Sequence, residues 1–412
     1  MTKRTMTLKN RTNNMDNHKV VLAYSGGLDT SFCIPYLKEQ GYDVHALHVN
    51  TGGFSDDEVE DLTKRALHLG ATTCKSINNE KDYYAQCLRY LLYGNVLRNN
   101  TYPLSVSSER VFQAIAILEY CKEVDATHVA HGSTGAGNDQ IRFDSTFESL
   151  AGDITIITPI RDNSLSRQEE IKFLRDRGFD WSDEKGAYSI NQGLWGTSVG
   201  GRETLTSRRD LPEEAWPHHC TKEGSEEIEI TFSKGQAIEL NGVRFSTPVA
   251  LIKELNTIGH AYAIGRDIHV GDTIIGIKGR VGFEAPAALL LINAHELLEK
   301  HTLSKWQIHW KKQLADWYGM FMHEGRYFDP VMRDIEGFLT SSQETVNGKV
   351  FIRLHPYRFE LIGIESKNDL LENDFGQYGE VNKAWSADDA KGFIKIFSNA
   401  DKIYYHVNPD QK

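Results

Sequence analysis

Ser25-Gly26-Gly27-Leu28-Asp29-Thr30-Ser31 is the stretch of this chain whose residue types and spacing most directly imply chemistry. It follows the apolar run Val20-Val21-Leu22-Ala23-Tyr24 and leads into apolar positions at helical spacing. A strand, a glycine turn and a helix start therefore coincide, as a phosphate site needs. Paired glycines let the backbone approach an anion closely, because no Cβ intervenes. The helix start aims its free N–H groups and the positive end of its dipole at the same point. Ser25, Thr30 and Ser31 add hydroxyl donors. The spacing is neither that of a Walker loop, which ends in Gly-Lys-Ser/Thr, nor Gly-x-Gly-x-x-Gly.

A second loop, His131-Gly132-Ser133-Thr134-Gly135-Ala136-Gly137-Asn138-Asp139-Gln140-Ile141-Arg142-Phe143, follows another strand-like run. Its three glycines make a further close-approach surface. Thr134, Asn138, Asp139 and Arg142 combine donors for carboxylates, an acceptor for an ammonium and a guanidinium. That mixture suits a zwitterionic amino acid. A surface turn running into a helix would not require so many polar groups in one short loop.

The elements that must position these loops are legible up to about Asp180. Val20–Tyr24, Val44–Val49, Thr127–His131 and Ile154–Pro159 read as strands. Ser55 and Glu58 form a capping box before a helix carrying Val59, Leu62, Ala66 and Leu69, which Gly70 closes. Ser107 to Lys122 reads as a buried helix, and Ser166 with Glu169 caps another that stops at Gly178. Alternating strands and helices imply a doubly wound parallel sheet, whose ligands sit at the carboxyl ends of the strands. Tyr188 to Arg202 is rich in Gly and Ser and reads as a loop. Farther on, Ile228, Ile230 and Phe232 alternate as a strand, and Asn241-Gly242 marks a hairpin turn. Ala287 to about Thr340 reads as long helices, in which Trp306, Trp310, Leu314 and Trp317 form a stripe expected to pack. Val350 to Ile364 returns to strand, broken near His355-Pro356. Ser386 to Phe397 is a last helix whose Phe393, Ile394 and Phe397 form an apolar edge suited to a partner subunit.

The expected fold is thus α/β: a doubly wound parallel-sheet nucleotide-binding domain, a second α+β domain and a C-terminal helix. The boundaries read as a disordered tail over 1–18, a nucleotide-binding domain over 19–182, a second domain over 183–385, and a terminal helix with an apolar edge suited to a partner over 386–412.

The 412 residues carry a net charge of −11, which argues against a broad nucleic-acid surface. Cys33, Cys74, Cys87, Cys121 and Cys220 are scattered with no C-x-x-C pair, which fits free thiols in a reducing compartment. His218-His219-Cys220 has no partner pair at metal-ligand spacing and reads as a loop. No apolar run approaches the ~18 residues of a membrane span. Met1 to Asn14 is basic with no apolar core and so does not read as a secretory signal. The expected location is the cytoplasm.

Ala23-Tyr24-Ser25-Gly26-Gly27-Leu28-Asp29-Thr30-Ser31 matches Ser-Gly-Gly-x-Asp-Ser/Thr, the loop of the ATP pyrophosphatase (PP-loop) group. Together with Gly135-x-Gly-Asn-Asp-Gln-x-Arg-Phe143 it resembles the argininosuccinate synthase family. The resemblance continues through Tyr102, Ser105 and Arg110, Tyr188-Ser189, and Ala390-Lys391-Gly392-Phe393-Ile394-Lys395-Ile396, and so covers nearly the whole chain after Met15. It implies a carbon–nitrogen ligase of arginine biosynthesis that joins citrulline and aspartate through a citrullyl-adenylate and releases AMP and pyrophosphate. By motif, Ala23 to Ser31, Val49 and Gly132 would hold ATP. Thr134, Asn138 and Asp139 would hold aspartate. Tyr102, Ser107, Asn138, Arg142, Ser189 and Ser198 would hold citrulline. Ser25, Asp29 and Asp139 are the candidate catalytic residues. The family's Mg²⁺ accompanies ATP, with no ligand assigned here, and its homotetramer is tied by the terminal helix.

The chain departs from the family pattern at several positions. Ala136 stands where the family has lysine, Gly271 where it has an acidic residue facing the citrulline head group, and Phe283 where it has tyrosine. Val199-Gly200 replaces Tyr-Glu. In one reading Asp272 or Glu203 makes good the lost carboxylate, which puts Asp272 and Phe283 among the substrate-binding candidates. In the other, the substrate's α-nitrogen carries no charge, as in an N-acylated citrulline, because burying an unpaired ammonium costs several kcal/mol. A non-catalytic nucleotide-binding regulatory homologue is the remaining alternative.

Overall fold

The computed structural model describes residues 18–181, 188–376, 378–379 and 384–411. The tail expected over 1–18 therefore lies outside the described residues except for His18, as does the boundary expected at 182–183. The strands β1 (Lys19–Ala23), β2 (Asp43–Asn50), β3 (Thr73–Asn78), β4 (His128–Ala130) and β5 (Thr155–Ile157) form one parallel sheet in the order β3-β2-β1-β4-β5. Alternate residues of β1 point to opposite faces. Val20 and Leu22 enter a core with Phe32, Ile34 and Leu37, while Val21 enters another with Ile117, Phe143 and Phe147. Burial on both faces explains why the strand reads as an unbroken apolar run. The order reverses between β1 and β4, so the carboxyl ends of those two strands flank the switch point where such sheets bind ligands.

Helices α1 (Leu28–Glu39), α2 (Asp56–His68), α3 (Glu109–Val124), α4 (Asp139–Leu150) and α5 (Arg167–Asp176) cover the sheet. Both expected capping boxes form, at Ser55–Glu58 and Ser166–Glu169. Strand β3 was not legible: Thr-Cys-Lys-Ser-Ile-Asn is a polar edge strand, without the alternation that marks a half-buried one.

The second half is built differently. Strands β6 (Tyr188–Asn191) and β7 (Thr197–Gly201) form where the composition implied a loop. Their Ser and Gly content reflects an exposed ligand-facing hairpin rather than irregular chain. They belong to a four-stranded antiparallel sheet. Of the remaining strands, β8 (Glu226–Ser233), β9 (Gln236–Leu240), β10 (Val243–Arg244), β13 (Gly348–His355) and β14 (Arg358–Glu365) form a second antiparallel sheet, while β11 (Arg266–Asp272) and β12 (Lys278–Glu284) complete the first. Asn241 and Gly242 take φ of +52° and +74° between β9 and β10, the turn that Asn-Gly favours.

Three long helices, α7 (Pro286–Thr302), α8 (Lys305–His323) and α9 (Val331–Ser342), follow a helix α6 (Pro248–Ala261). The tryptophan stripe of α8 does not pack within the chain: Trp306, Trp310 and Trp317 are 64%, 56% and 53% exposed. The buried face of α8 is Lys311, Ala315, Tyr318, Gly319 and Met322 instead. Helical spacing identified a common face but not what covers it. The chain ends in α10 (Ala387–Phe397), capped by Ser386, and α11 (Asn399–Val407), neither of which has a buried residue.

Candidate active site

The loop after β1 and the loop after β4 open into one cleft of about 1020 Å³, closed on its far side by β6, β7, β11 and β12. Helix α1 begins at the floor of this cleft, and its N-cap, Gly27, provides no side-chain cap, so the first-turn N–H groups face the opening. Gly26 has φ +74°, a conformation that favours glycine. Thr30 Oγ1 lies 3.3 Å from the Ser25 amide nitrogen and 3.3 Å from Ser25 Oγ, which holds the loop open in one shape. Arg65 of α2 donates to the Gly26 carbonyl at 3.0 Å, and both Arg65 and Arg167 line the cleft beside the loop. They bring positive charge to a phosphate chain without the lysine absent at Ala136. A Cβ on Gly132 would stand 3.0 Å from the Asp29 backbone, so the two loops touch there and a side chain would push them apart by a few tenths of an ångström.

Asp29 and Glu170 of α5 hydrogen-bond one another beneath this loop. Burial raises the proton affinity of both, and the Asp29 charge helps push Glu170 up to about 8. The pair therefore holds a proton at neutral pH.

The amino-acid loop is buttressed from below. The Ser133 N–H donates to His131 Nδ1 at 3.2 Å, so Nε2 carries the ring proton and donates to Asp144 at 2.7 Å. Arg161 closes the chain on Asp144 at 2.6 Å. Above it, Arg110 Nε donates to Asp139 at 2.9 Å and Arg142 Nη1 donates to its other oxygen at 2.8 Å. Burial would raise the Asp139 carboxyl, but the two guanidinium groups outweigh it and hold it at about 2. Asp139 is thus an ionised acceptor, suited to an ammonium. Asn138 gives its carbonyl oxygen to the Ile274 N–H at 2.9 Å, which leaves its amide protons for a ligand.

The structure brings most of the residues named from the sequence to the cleft wall. Ala23 through Thr30, Val49, Gly132, Thr134, Asn138, Asp139 and Arg142 line the cleft, as do Tyr102, Ser107, Ser189 and Ser198. Ser31 does not: it is fully buried behind the loop. Phe283 does not either, being 0% exposed with its ring 5.4 Å from that of Tyr102. Asp272 borders the cleft, but strand alternation turns its carboxylate to the reverse face, where Lys278 takes it at 2.7 Å. Glu203 is buried outside the lining and pairs with Arg202 at 2.7 Å. Asp272 thus offers no free carboxylate near Gly271, and the unpartnered Oε2 of Glu203 is buried outside the cleft. That space is filled by His269, stacked 5.0 Å from Tyr102. Burial and Arg98 push His269 down to about 4, and burial, Arg142 and Arg98 push the neighbouring His323 down to about 3. Both imidazoles are neutral.

Arg65, Glu109, Gln113, Arg167, His269, Arg280 and His323 also line the cleft and were not anticipated. They lie in helices and strands whose polar residues look like ordinary exposed positions. Only the acid-base pair Glu109-Arg110, at the start of a helix whose next turns are largely apolar, gave a signal. His218, His260 and Glu284 converge on the reverse side of β12. Arg266 Nε lies 3.2 Å from the Glu284 carboxylate, so a fixed cation already occupies the position a metal would take.

Residues 19–180 match the family model described as the arginosuccinate synthase N-terminal HUP domain, and residues 188–404 match its C-terminal domain. The chain belongs to the argininosuccinate synthase family. It is 36% identical to the argininosuccinate synthase of Xylella fastidiosa over 406 residues, covering 96% of this chain and 99% of that one. It is 37% identical to that of Xanthomonas campestris pv. campestris, covering 96% and 100%. The argininosuccinate synthase of Dictyoglomus thermophilum is 37% identical, with 95% and 98% covered. The loop after β1 and the Asp139 loop after β4 both fall within the match to the N-terminal family model and line the one cleft.

Proposed function

We propose that the chain joins citrulline to aspartate at the expense of ATP, forming argininosuccinate, AMP and pyrophosphate. One observation carries this reading: a phosphate cradle at the end of β1 and an ammonium acceptor, Asp139, at the end of β4 open into the same cleft. The ureido oxygen attacks the α-phosphorus, and pyrophosphate leaves into the N–H groups of α1, Ser25 and Thr30. The aspartate amine, aimed by Thr134, Asn138 and Asp139, then displaces AMP. In-line placement and stabilisation of the leaving charge supply most of the acceleration. A magnesium ion would be held at this floor by Asp29, which lines the cleft, with the buried, unpartnered Oε2 of Glu170 behind it. Bound with ATP, the ion would neutralise charge on the pyrophosphate.

The reading is tested by pyrophosphate release from purified protein with ATP, Mg²⁺, citrulline and aspartate. Release that needs both amino acids supports it. Nucleotide binding without release with any substrate form would favour a regulatory homologue.

A second reading concerns the head group. No free carboxylate faces Gly271, while Arg98 stands beside it with its Nε buried and unpartnered. An N-acylated citrulline, whose α-nitrogen is uncharged, avoids burying an ammonium against that arginine. Parallel assays with citrulline and N-acetylcitrulline decide between the two, and a higher kcat/KM for free citrulline rejects the second reading.

The exposed apolar faces of α8, α10 and α11 support assembly with further copies of the chain, which we take to be a homotetramer in the cytoplasm. No described helix is long and apolar enough to cross a membrane. Division into a nucleotide-binding unit over 19–182, a synthetase unit over 183–385 and a terminal helix over 386–412 accords with this arrangement.

A further inference from the structure

Glu109 is buried at the first position of α3, yet its side chain belongs to the cleft wall. Thr51 donates to its Oε2 at 2.8 Å, while Oε1 has no hydrogen-bond partner. Oε1 lies against the Cα of Gly193, where any Cβ would come within 1.6 Å, so the β6–β7 loop is shaped around this carboxyl. The next residue, Arg110, grips Asp139, and its Nη1 lies 3.9 Å from Glu109 Oε2. Glu109 and the ammonium acceptor therefore flank one guanidinium.

We propose that Glu109 is the catalytic proton acceptor for the attacking aspartate amine. The inference rests on the ligase reading above. Aspartate arrives as an ammonium and must lose a proton before it can attack. The carboxylate of Glu109 takes that proton. The nitrogen lone pair then forms the C–N bond to the adenylated ureido carbon. The C–O bond to AMP breaks, AMP leaves with the bonding electrons, and the second proton passes to solvent.

The other groups on the cleft are unsuited to this step. Asp139 is held ionised by Arg110 and Arg142, Asp272 is taken by Lys278, and Asp29 lies at the phosphate end. His131 uses both ring nitrogens. His48, His269 and His323 have proton affinities near those of carboxylic acids, at about 4, 4 and 3. Around Glu109 stand Arg110 and Gln113 on α3, Thr51 after β2, Gly193 after β6, Asp139 on α4, and Tyr83 and Cys87 on the helices over 80–93. Burial pushes the carboxyl up to about 8 against the pull of Arg110 and Thr51, which matches its proton affinity to an amine near neutral pH.

The test compares the two half-reactions in Glu109→Gln, which keeps an acceptor for Thr51. Citrulline-dependent exchange of labelled pyrophosphate into ATP, without aspartate, should stay within about twofold of the unmodified protein. Argininosuccinate formation should fall about a hundredfold, with the rise in rate toward pH 8 abolished. Hydroxylamine, unprotonated at neutral pH, should replace aspartate in the variant with little loss. Thr51→Val, which removes the bond that favours the carboxylate, should move the rise to higher pH. Equal loss of both half-reactions, or an unchanged pH profile in Glu109→Gln, overturns the proposal. Absence of exchange in the unmodified protein with both citrulline and N-acetylcitrulline overturns the ligase reading itself, and the proposal with it.

Discussion

A Cβ on Gly271 would stand 2.5 Å from Nε2 of His269, so one residue is small because the other fills its space. The two face each other along β11, on the cleft side of the sheet. A carboxylate cannot be restored at position 271 alone, because it would meet the imidazole before it met a substrate. Gly271→Glu should therefore lose activity on citrulline and N-acetylcitrulline alike. Adding His269→Ala gives the carboxylate room. The double variant should then shift the kcat/KM ratio toward free citrulline by about tenfold relative to the single variant, as expected for a newly paired ammonium. An unchanged ratio in the double variant would show that this part of the cleft does not meet the α-nitrogen.

The two glycines of the phosphate loop should respond differently to substitution. Gly26 has φ +74°, and a Cβ there would lie 1.9 Å from Leu62 Cδ2 of α2. Gly26→Ala should lose about 1–3 kcal/mol of stability, from the strained backbone and the displaced helix. Gly27 has φ −70°, and its Cβ would meet only Ser25 Oγ, at 3.6 Å. Gly27→Ala should melt normally yet raise the KM for ATP, because the methyl group stands where phosphate approaches. Thermal melts beside ATP titrations separate the two. Equal melting temperatures for both variants would count against this account of Gly26.

The residues legible in the sequence are those whose role is local. Ser55 and Ser166 announce their helices through acids three residues on, and the loop at Ser25 announces itself through glycines next to an apolar strand. Asp139 was legible as an acceptor, but its paired grip by Arg110 and Arg142 depends on where α3 and α4 cross. His269 was not legible, since its meaning lies in the space left by Gly271. Phe283 and Asp272 were placed at the substrate by alignment with the family pattern, one at the family's tyrosine and the other as a replacement carboxylate. The fold instead buries the first behind Tyr102 and turns the carboxylate of the second to Lys278. Strands β6 and β7 read as a loop because their Ser and Gly residues face the ligand cleft and not a core.

The proton between Asp29 and Glu170 makes stability depend on pH. Burial and the neighbouring charge raise Glu170 to about 8 and raise Asp29 as well. In the unfolded chain both carboxyls titrate near 4. Across the window from about 4 to 8 this pair holds a proton that the unfolded chain has lost, so its contribution to stability falls as pH rises. Between pH 6 and pH 8.5 the pair lowers the melting temperature of the ligand-free protein, while the buried neutral imidazoles of His48, His260, His269 and His323 raise it, so the pair is read by comparison with a variant. Glu170→Gln keeps the hydrogen bond and removes the titration, so its melting temperature should rise relative to the parent's over the same range. A variant as pH-sensitive as the parent would mean that the shared proton contributes nothing. Glu109, raised in the same sense, adds to the fall.

The terminal helices predict the state of assembly. Helix α10 exposes Phe393, Ile394, Ile396 and Phe397 at 59–74%, and α11 exposes Ile403, Tyr404 and Val407 at 55–68%. Soluble monomers rarely leave so large a contiguous apolar face to water. Ser386 and Asp389 close a capping box at the start of α10, so the helix is formed locally and does not need the rest of its own chain. Its apolar side is therefore free for another copy, and the tryptophans of α8 offer a matching exposed face. Truncation after residue 385 should lower the mass measured by light scattering from that of four chains to that of a smaller species. Far-ultraviolet circular dichroism should show the remaining fold intact. Replacing Ile396 and Phe397 with aspartate should do the same without removing chain, because each charge would be buried at the interface at a cost of several kcal/mol. If Trp306, Trp310 and Trp317 form the receiving face, changing them together to alanine should also dissociate the assembly. A full-length protein that runs as a monomer at micromolar concentration would sink the prediction. Dissociation by the helix variants but not by the tryptophan variants would place the receiving face elsewhere.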